Sequence, residues 1–154
     1  MLIFLDIDGV LVPAKGWKAP ELLNDGFPAF SNKATRTLKD LISEDTTFML
    51  TTSHKSNYTI EEWKAIFKKR GIDIHNIKPL ENNINNLSRK DEVVNWFNAN
   101  KTTENFIIID DDKSLNELPD FLKKNLILTS PLVGLTDEHL EDARAILNKG
   151  LQVV

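Results

Sequence analysis

The chain has 154 residues, of which 41% are hydrophobic and 27% charged, a composition typical of one globular domain that excludes wholesale disorder. Its formal net charge of −4 disfavours broad, nonspecific attraction to nucleic acid, and the absence of cysteine excludes disulfides, thiolate metal sites and cysteine nucleophiles. No apolar run approaches the length of a membrane span and no signal peptide precedes the first strand, so we expect one cytoplasmic domain over residues 1–154.

The first apolar segment, IFLDIDGVLV, predicts a buried strand that ends in two acids. Ile3, Phe4 and Leu5 form a nearly continuous apolar run, typical of a parallel strand that is buried on both faces. Asp6 and Asp8 share one face if the strand continues straight through them. Two carboxylates so close repel each other unless a cation lies between them or one is protonated. Asp followed by Gly is also an ordinary turn, and the pair alone does not decide between these interpretations.

The next part of the chain predicts an irregular segment followed by a β–α–β unit. The segment PAKGWKAPELLNDGFPAF is rich in Pro, Gly and small polar residues and predicts a loop. Ser31 is placed to cap a helix, and TTFMLTTS predicts a second buried strand. Thr59 and Glu62 form a capping box at the start of another helix, and Gly71 is placed to end it.

The second half of the chain continues the alternation. A short strand is expected near Ile77, and Ser88 caps a further helix. NFIIIDDD is a strongly apolar run that ends in acids, NLILTS is a weaker run, and a last helix begins at Thr136. This order predicts an α/β fold, a three-layer sandwich around a mostly parallel, Rossmann-like sheet.

Polar groups follow three of the predicted strands, where the edge of a parallel sheet binds ligands. They are Asp6 and Asp8, then Thr51, Thr52 and Ser53, then Asp110, Asp111 and Asp112. The acids suit a magnesium ion, and the hydroxyls, backbone amides and a cation from SRKDE suit a phosphoryl group. Each signal alone has an ordinary explanation as a solvated turn, a loop entry or a solvated helix end. Together they predict a phosphate-handling site.

These motifs resemble the haloacid dehalogenase (HAD) superfamily of phosphohydrolases and phosphotransferases. LDIDGVLV matches the first motif, DxDG after an apolar strand. FMLTTS matches the second, an apolar strand that ends in Thr or Ser, and FIIIDDD matches the fourth, an acidic pair. The third motif is a Lys or Arg, for which Arg89 or Lys90 stands. The resemblance covers almost the whole chain.

The resemblance implies a role for each matching residue. Asp6 is the nucleophile that forms an aspartyl-phosphate, and Asp8 is the general acid and base. The Mg²⁺ shell is the carboxylate of Asp6, the main-chain carbonyl of Asp8 and the carboxylate of Asp110, often with Asp111 through water. The phosphoryl group is held by Thr52, or else Ser53, with the backbone around Gly9, and its charge is neutralised by Arg89, or else Lys90.

Family members owe much of their specificity to inserted cap domains, and both insertion points here hold only short segments. We therefore expect a capless or minimally capped enzyme whose open site suits a large phosphorylated substrate, such as a nucleotide or nucleic-acid end. PLVGLTDEHLEDARAIL adds a similarity to the phosphatase-like domains of bacterial RNA-repair proteins. A phosphotransferase and a noncatalytic binding module remain alternatives; a receiver domain is disfavoured because it lacks DxD on its first strand. No membrane association and no stable partner are inferred.

Four further residues have weaker claims. Trp17 and Phe27 lie in the irregular segment, where they either cover the core, which we favour, or stack on a substrate base. His54 follows the hydroxyl motif and is a candidate for contact with the substrate. Lys55 lies near the same edge, where it either meets a second phosphate or, as we favour, is a solvated side chain.

Overall fold

The computed structural model describes residues 1–14, 19–81, 83 and 85–152; Trp17 lies outside them. Five strands form one sheet in the order β3-β2-β1-β4-β5, with every neighbouring pair parallel. The strands are β1 (Leu2–Leu5), β2 (Thr47–Leu50), β3 (Asn76–Pro79), β4 (Phe106–Asp110) and β5 (Leu126–Leu128). The α/β fold with a parallel sheet is confirmed.

Helices cover both faces of the sheet and give three layers. They are α1 (Asn32–Leu41), α2 (Ile60–Lys69), α3 (Arg89–Asn100), α4 (Asp120–Lys123) and α5 (Asp137–Gln152), with a 3₁₀ helix at Lys113–Glu117 before α4. Buried side chains of α1, α2 and α5 pack in one apolar cluster, and those of α3, the 3₁₀ helix and α4 pack in a second cluster. No helix in the described ranges is long and apolar enough to cross a membrane.

Local sequence signals account for where the helices begin. The Ser31 side chain accepts a hydrogen bond from the Ala34 amide at the start of α1. Thr59 and Glu62 form the predicted capping box of α2, and Ser88 caps α3. The 3₁₀ helix is capped by Asp112, whose side chain accepts the Ser114 amide at 2.9 Å, whereas Pro119, which precedes α4, makes no side-chain cap. These two short elements were not predicted.

The strand register places three polar residues in one row. Leu5 pairs with Leu50 on one side and with Ile109 on the other. These three apolar side chains all lie in the cluster beneath α1, α2 and α5. Because side chains alternate along a strand, the residues that follow them point to the opposite face, which α3 covers. The row that follows consists of Asp6, Thr51 and Asp110.

The chain turns sharply after β1, which corrects one expectation. The strand ends at Leu5, and the amides of Val10, Leu11 and Val12 all donate to the carbonyl of Ile7. Asp6 is therefore buried, with 5% of its surface exposed, whereas the Asp8 side chain is 57% exposed. The two acids do not share one face, because the turn interrupts the extended geometry on which that expectation depended.

Candidate functional site

Three carboxylates converge where the strand order reverses between β1 and β4. Asp6 follows β1, Asp110 ends β4 and Asp111 comes next, and one oxygen from each lies within 4.8 Å of the others. Such a switch point is where open α/β sheets bind ligands. A cluster of hard oxygen donors is the set that Mg²⁺ prefers.

Asp110 is the most tightly held of the three acids. Its Oδ1 accepts the amides of Asp111 at 2.8 Å and Asp112 at 3.1 Å. Its Oδ2 accepts Thr51 Oγ1 at 3.1 Å and Arg89 Nη1 at 2.6 Å. These four bonds fix the orientation of the Asp110 carboxylate within the cluster.

Arg89 lies at the first turn of α3 and reaches down to the row of polar residues. Its Nη1 donates to Thr51 Oγ1 at 3.1 Å as well as to Asp110, and lies 3.6 Å from Asp6 Oδ1. Within the part of the chain that the structure describes, Nη2 has no hydrogen-bond acceptor, and no buried side-chain nitrogen or oxygen lacks a partner. The guanidinium thus contacts the acids through Nη1, and Nη2 is left to donate to another acceptor.

The electrostatics of the cluster are dominated by burial. Burial and the charge of Asp110 raise the pKa of Asp6 to about 9, against the lowering effect of Arg89. Burial likewise raises the pKa of Asp110, although Arg89 opposes it. For Arg89, burial alone lowers the pKa, but the charges of Asp110 and Asp6 outweigh it and hold it above its ordinary value. One arginine does not neutralise this set of acids.

A second ion pair lies behind Arg89. Lys55 Nζ is 3.1 Å from Glu92 Oε2, and Arg89 Nε is 3.7 Å from the other oxygen of Glu92. Lys55 is only 5% exposed, which corrects the expectation of a solvated lysine. Two cations therefore face four carboxylates (Asp6, Asp110, Asp111 and Glu92). With all groups ionised, the surplus is two negative charges, which one divalent cation balances.

Gly9 is required where it stands. Its φ of +80° lies in the left-handed region, and a Cβ added there would meet Asp111 Oδ2 at 2.0 Å. Only glycine lets the turn approach the Asp111 carboxylate this closely. The turn after β1 and the acidic run after β4 are thus packed directly against each other.

Asp8 stands apart from the acid cluster. Its Oδ2 lies 2.8 Å from Nε2 of His54, a residue in the turn after β2. The separation leaves Asp8 exposed beside a buried, charge-rich group, an arrangement suited to proton exchange with solvent or a substrate oxygen.

The other predicted residues occupy different positions around the cluster. Thr51 is in the row, whereas Thr52 is fully buried with its Oγ1 accepting the His54 amide at 3.3 Å. Ser53 is exposed and lines a cavity of about 490 Å³ that Arg89, Lys55 and Glu92 also line. Lys90 is half-buried, and its amide donates to Ser114 Oγ at 3.2 Å; no ion pair joins it to any carboxylate in the described ranges.

The sequence analysis placed Thr51 at the sheet edge but assigned it no role, although a signal for one existed. Leu5, Leu50 and Ile109 are each the last apolar residue before a polar one, so counting from them puts Thr51 level with Asp6 and Asp110. Glu92 gave no comparable signal, because its partner Lys55 lies 37 positions away along the chain.

The Phe27 side chain is 3% exposed and belongs to the core beneath α1 and α2. Its ring packs on those of Phe30, Tyr58 and Trp63. The favoured interpretation, that Phe27 covers the core, is confirmed.

Comparison with known protein families gives a match that spans residues 2–140. The matching family is described as the HAD domain in Swiss Army Knife RNA repair proteins. No curated protein and no solved structure matches the chain significantly. The family match agrees with the all-parallel sheet and with the acids at the ends of β1 and β4. The chain therefore belongs to this HAD domain family.

Proposed function

We propose that the protein is a magnesium-dependent phosphoric monoester hydrolase that works through an aspartyl-phosphate on Asp6. The observation that carries the proposal is the row of Asp6, Thr51 and Asp110 beneath Arg89, with Asp8 held outside it. Membership of the HAD family supports phosphoryl chemistry in general. The buried acids supply both a nucleophile and a cation site.

The residues present fit a divalent cation. The donors are carboxylate oxygens, and burial together with the charge of Asp110 raises the pKa of Asp6 to about 9, so a cation beside Asp6 would favour its ionised form. Asp6, Asp110 and Asp111 would hold the ion with their carboxylates, together with the main-chain carbonyl of Asp8. When bound, Mg²⁺ keeps Asp6 ionised and offsets charge on the phosphoryl oxygens.

In the first step, a carboxylate oxygen of Asp6 attacks phosphorus, and the bond to the leaving oxygen breaks. Asp8 gives its proton to that oxygen, so that an alcohol departs. Arg89 lines the cavity, and its Nη2, which has no acceptor in the described ranges, is the group we assign to donate to the phosphoryl oxygens. Thr51 steadies Asp110 and Arg89 together.

In the second step, Asp8 takes a proton from water, and the resulting hydroxide attacks the phosphorus of the aspartyl-phosphate. The acyl–phosphate bond breaks, inorganic phosphate leaves, and Asp6 regains its carboxylate. One ester and one water become one alcohol and one phosphate, which balances the reaction.

The substrate that best fits is large and phosphorylated, such as a nucleotide or a nucleic-acid end. The segment between β1 and α1 contributes Phe27 and Phe30 to the core in its described part, with no separate cap layer there. The cavity beside Arg89 is lined mainly by serine, asparagine and charged side chains. These groups suit sugar hydroxyls and phosphate more than an apolar metabolite.

The test is hydrolysis of p-nitrophenyl phosphate with magnesium and with chelator, beside Asp6→Asn and the surface control Asp142→Asn. We expect magnesium-dependent release that Asp6→Asn abolishes and the control retains. Intact-mass analysis should show wild-type protein that carries one phosphoryl group, lost on treatment with hydroxylamine. Wild-type-like turnover in Asp6→Asn would reject the nucleophile, and magnesium binding without turnover on aryl or nucleotide phosphates would favour a noncatalytic module.

A further inference from the structure

The contact between His54 and Asp8 is a feature that the proposed mechanism does not yet use. His54 Nε2 lies 2.8 Å from Asp8 Oδ2, with the two side chains 39% and 57% exposed. We propose that His54 is a positioning residue that holds the Asp8 carboxyl at the angle required for proton transfer. The proposal rests on the proposed phosphatase function and adds to it a residue outside the acid cluster.

The backbone of His54 is fixed by its own turn. The His54 amide donates to Thr52 Oγ1 at 3.3 Å, and the His54 carbonyl accepts the amide of Asn57 at 2.9 Å. The next carbonyl, that of Lys55, accepts the buried indole N–H of Trp63 in α2 at 3.2 Å. Thr52, which lies outside the polar row, therefore shapes the turn that presents His54.

The ring of His54 is supported by an aromatic neighbour. The Phe27 ring meets it edge to face with centroids 6.0 Å apart. Phe27 in turn packs edge to face on Tyr58 and Trp63, and its carbonyl accepts a 2.7 Å bond from Arg70. Part of the irregular segment between β1 and α1 thereby stabilises a side chain at the site.

Positioning matters here because Asp8 is otherwise solvated. An exposed aspartate samples several rotamers, and a general acid works only within hydrogen-bond reach of the oxygen that it protonates. A bond to a buttressed ring selects one orientation before the substrate arrives, and small misplacements at such a site lower rates steeply. His54 therefore acts through Asp8 and not on the phosphoryl group.

The test compares two aryl phosphates that differ in how much the leaving oxygen needs a proton. Nitrophenolate departs readily without one, whereas the more basic phenolate of phenyl phosphate benefits from general-acid help. In single-turnover phosphorylation of Asp6 with magnesium, His54→Ala should slow phenyl phosphate about tenfold and p-nitrophenyl phosphate less than about threefold, with binding unchanged within about twofold. Equal slowing of both substrates, or none, would overturn the proposal.

Three further variants sharpen the result. His54→Gln retains an N–H donor and should recover much of the loss, and His75→Ala, an exposed histidine before β3, should match wild type. Adding His54→Ala to Asp8→Asn should change the rate no further, because a residue that acts through Asp8 has nothing left to position. An additive loss in that double variant would mean that His54 acts independently. If wild-type protein phosphorylates Asp6 from neither substrate, the proposed function fails and this role fails with it.

Discussion

Two buried arginines, Arg70 and Arg89, face acids in opposite settings. Arg70 at the end of α2 uses all five of its N–H groups: two on Asp25, and one each on the carbonyls of Phe27, Pro28 and Ile66. Its guanidinium also lies 5.5 Å from the Phe27 ring centroid and 5.0 Å from that of Phe30. One cation, one anion and neutral acceptors make a closed structural clamp.

Arg89 carries the same charge but has more acids than it can match. The hydrogen bond from Arg70 lowers the pKa of Asp25 to about 2, whereas burial raises that of Asp6 to about 9 despite Arg89. The direction of each shift follows from burial and charge balance and not from the mere presence of an arginine. The Arg70 clamp pairs its charges fully, whereas the surplus negative charge around Arg89 is compatible with a bound cation.

The largest expected effect is on the stability of the arginine variants, which should differ in how they respond to magnesium. Removing one partner of a buried ion pair typically costs about 3–5 kcal/mol, so we expect Arg89→Met to lower the free energy of unfolding by roughly that amount in chelator. Magnesium should restore more stability to Arg89→Met than it adds to wild type, because the ion offsets the same acids. Urea unfolding with chelator and with magnesium measures both quantities.

Arg70→Met is the matched comparison. It leaves the Phe27 and Pro28 carbonyls without their donor, and each such group costs about 1–3 kcal/mol if it stays buried. Magnesium should add no more to the stability of Arg70→Met than to that of wild type, because Asp25 lies outside the cluster of Asp6, Asp110 and Asp111. Lys90→Met, one position beyond Arg89, should change stability by less than about 0.5 kcal/mol. If magnesium raised the free energy of unfolding equally in both arginine variants, the distinction between the Arg70 clamp and the Arg89 site would be lost.

The sequence was sufficient to predict those features of the fold that depend on neighbouring residues or on a periodic apolar pattern. The caps Ser31, Thr59 and Ser88 each bond an amide three residues on, a distance at which residue type alone decides. The apolar runs ending at Leu5 and Ile109 indicated buried parallel strands, and their register brings Asp6 and Asp110 to one edge. The approximate place of the acid cluster followed from those runs.

The sequence was insufficient to predict contacts between residues that lie far apart along the chain. Nothing local to Lys55 indicates that Glu92 will bury it, and nothing local to Asp8 indicates that the turn directs it to His54. The Arg70 clamp joins residues more than 40 positions apart. Such contacts depend on how elements pack, which periodicity does not encode. For that reason Arg89 was placed by motif, while its network with Glu92 and Lys55 was not predicted.

A smaller effect is expected at Gly9, which links the turn after β1 to Asp111. Gly9→Ala and Gly26→Ala share a strained φ, +80° and +78°, but an added Cβ meets Asp111 at Gly9 and nothing within 4 Å at Gly26. In both variants, backbone strain should lower the free energy of unfolding by about 1–2 kcal/mol. Gly9→Ala alone should also weaken magnesium binding, by about tenfold or more, because a ligand carboxylate is displaced. Calorimetric titration with magnesium checks this, and equal affinities in the two variants would place Asp111 outside the metal shell.

The smallest effect concerns acid pH and tests the clamp. The pKa of Asp25 is lowered from 3.8 to about 2 by its hydrogen bond with Arg70, so between these values the unfolded chain binds more protons than the folded protein. The stabilisation is therefore complete above about pH 4 and is lost as the pH falls towards 2. Because Asp25 is partly solvated, we expect this stabilisation to be at most about 1 kcal/mol.

The test is urea unfolding of wild type and Asp25→Asn between pH 2 and 4. The free energy of unfolding should fall with pH in wild type, and this acid limb of the stability curve should be flatter in Asp25→Asn. Asp6 has the opposite sign, since its raised pKa makes the folded protein bind the extra proton above pH 4, so Asp6→Asn should leave the acid limb in place. A limb that survives Asp25→Asn but disappears in Asp6→Asn would reverse the roles assigned to the two arginine sites.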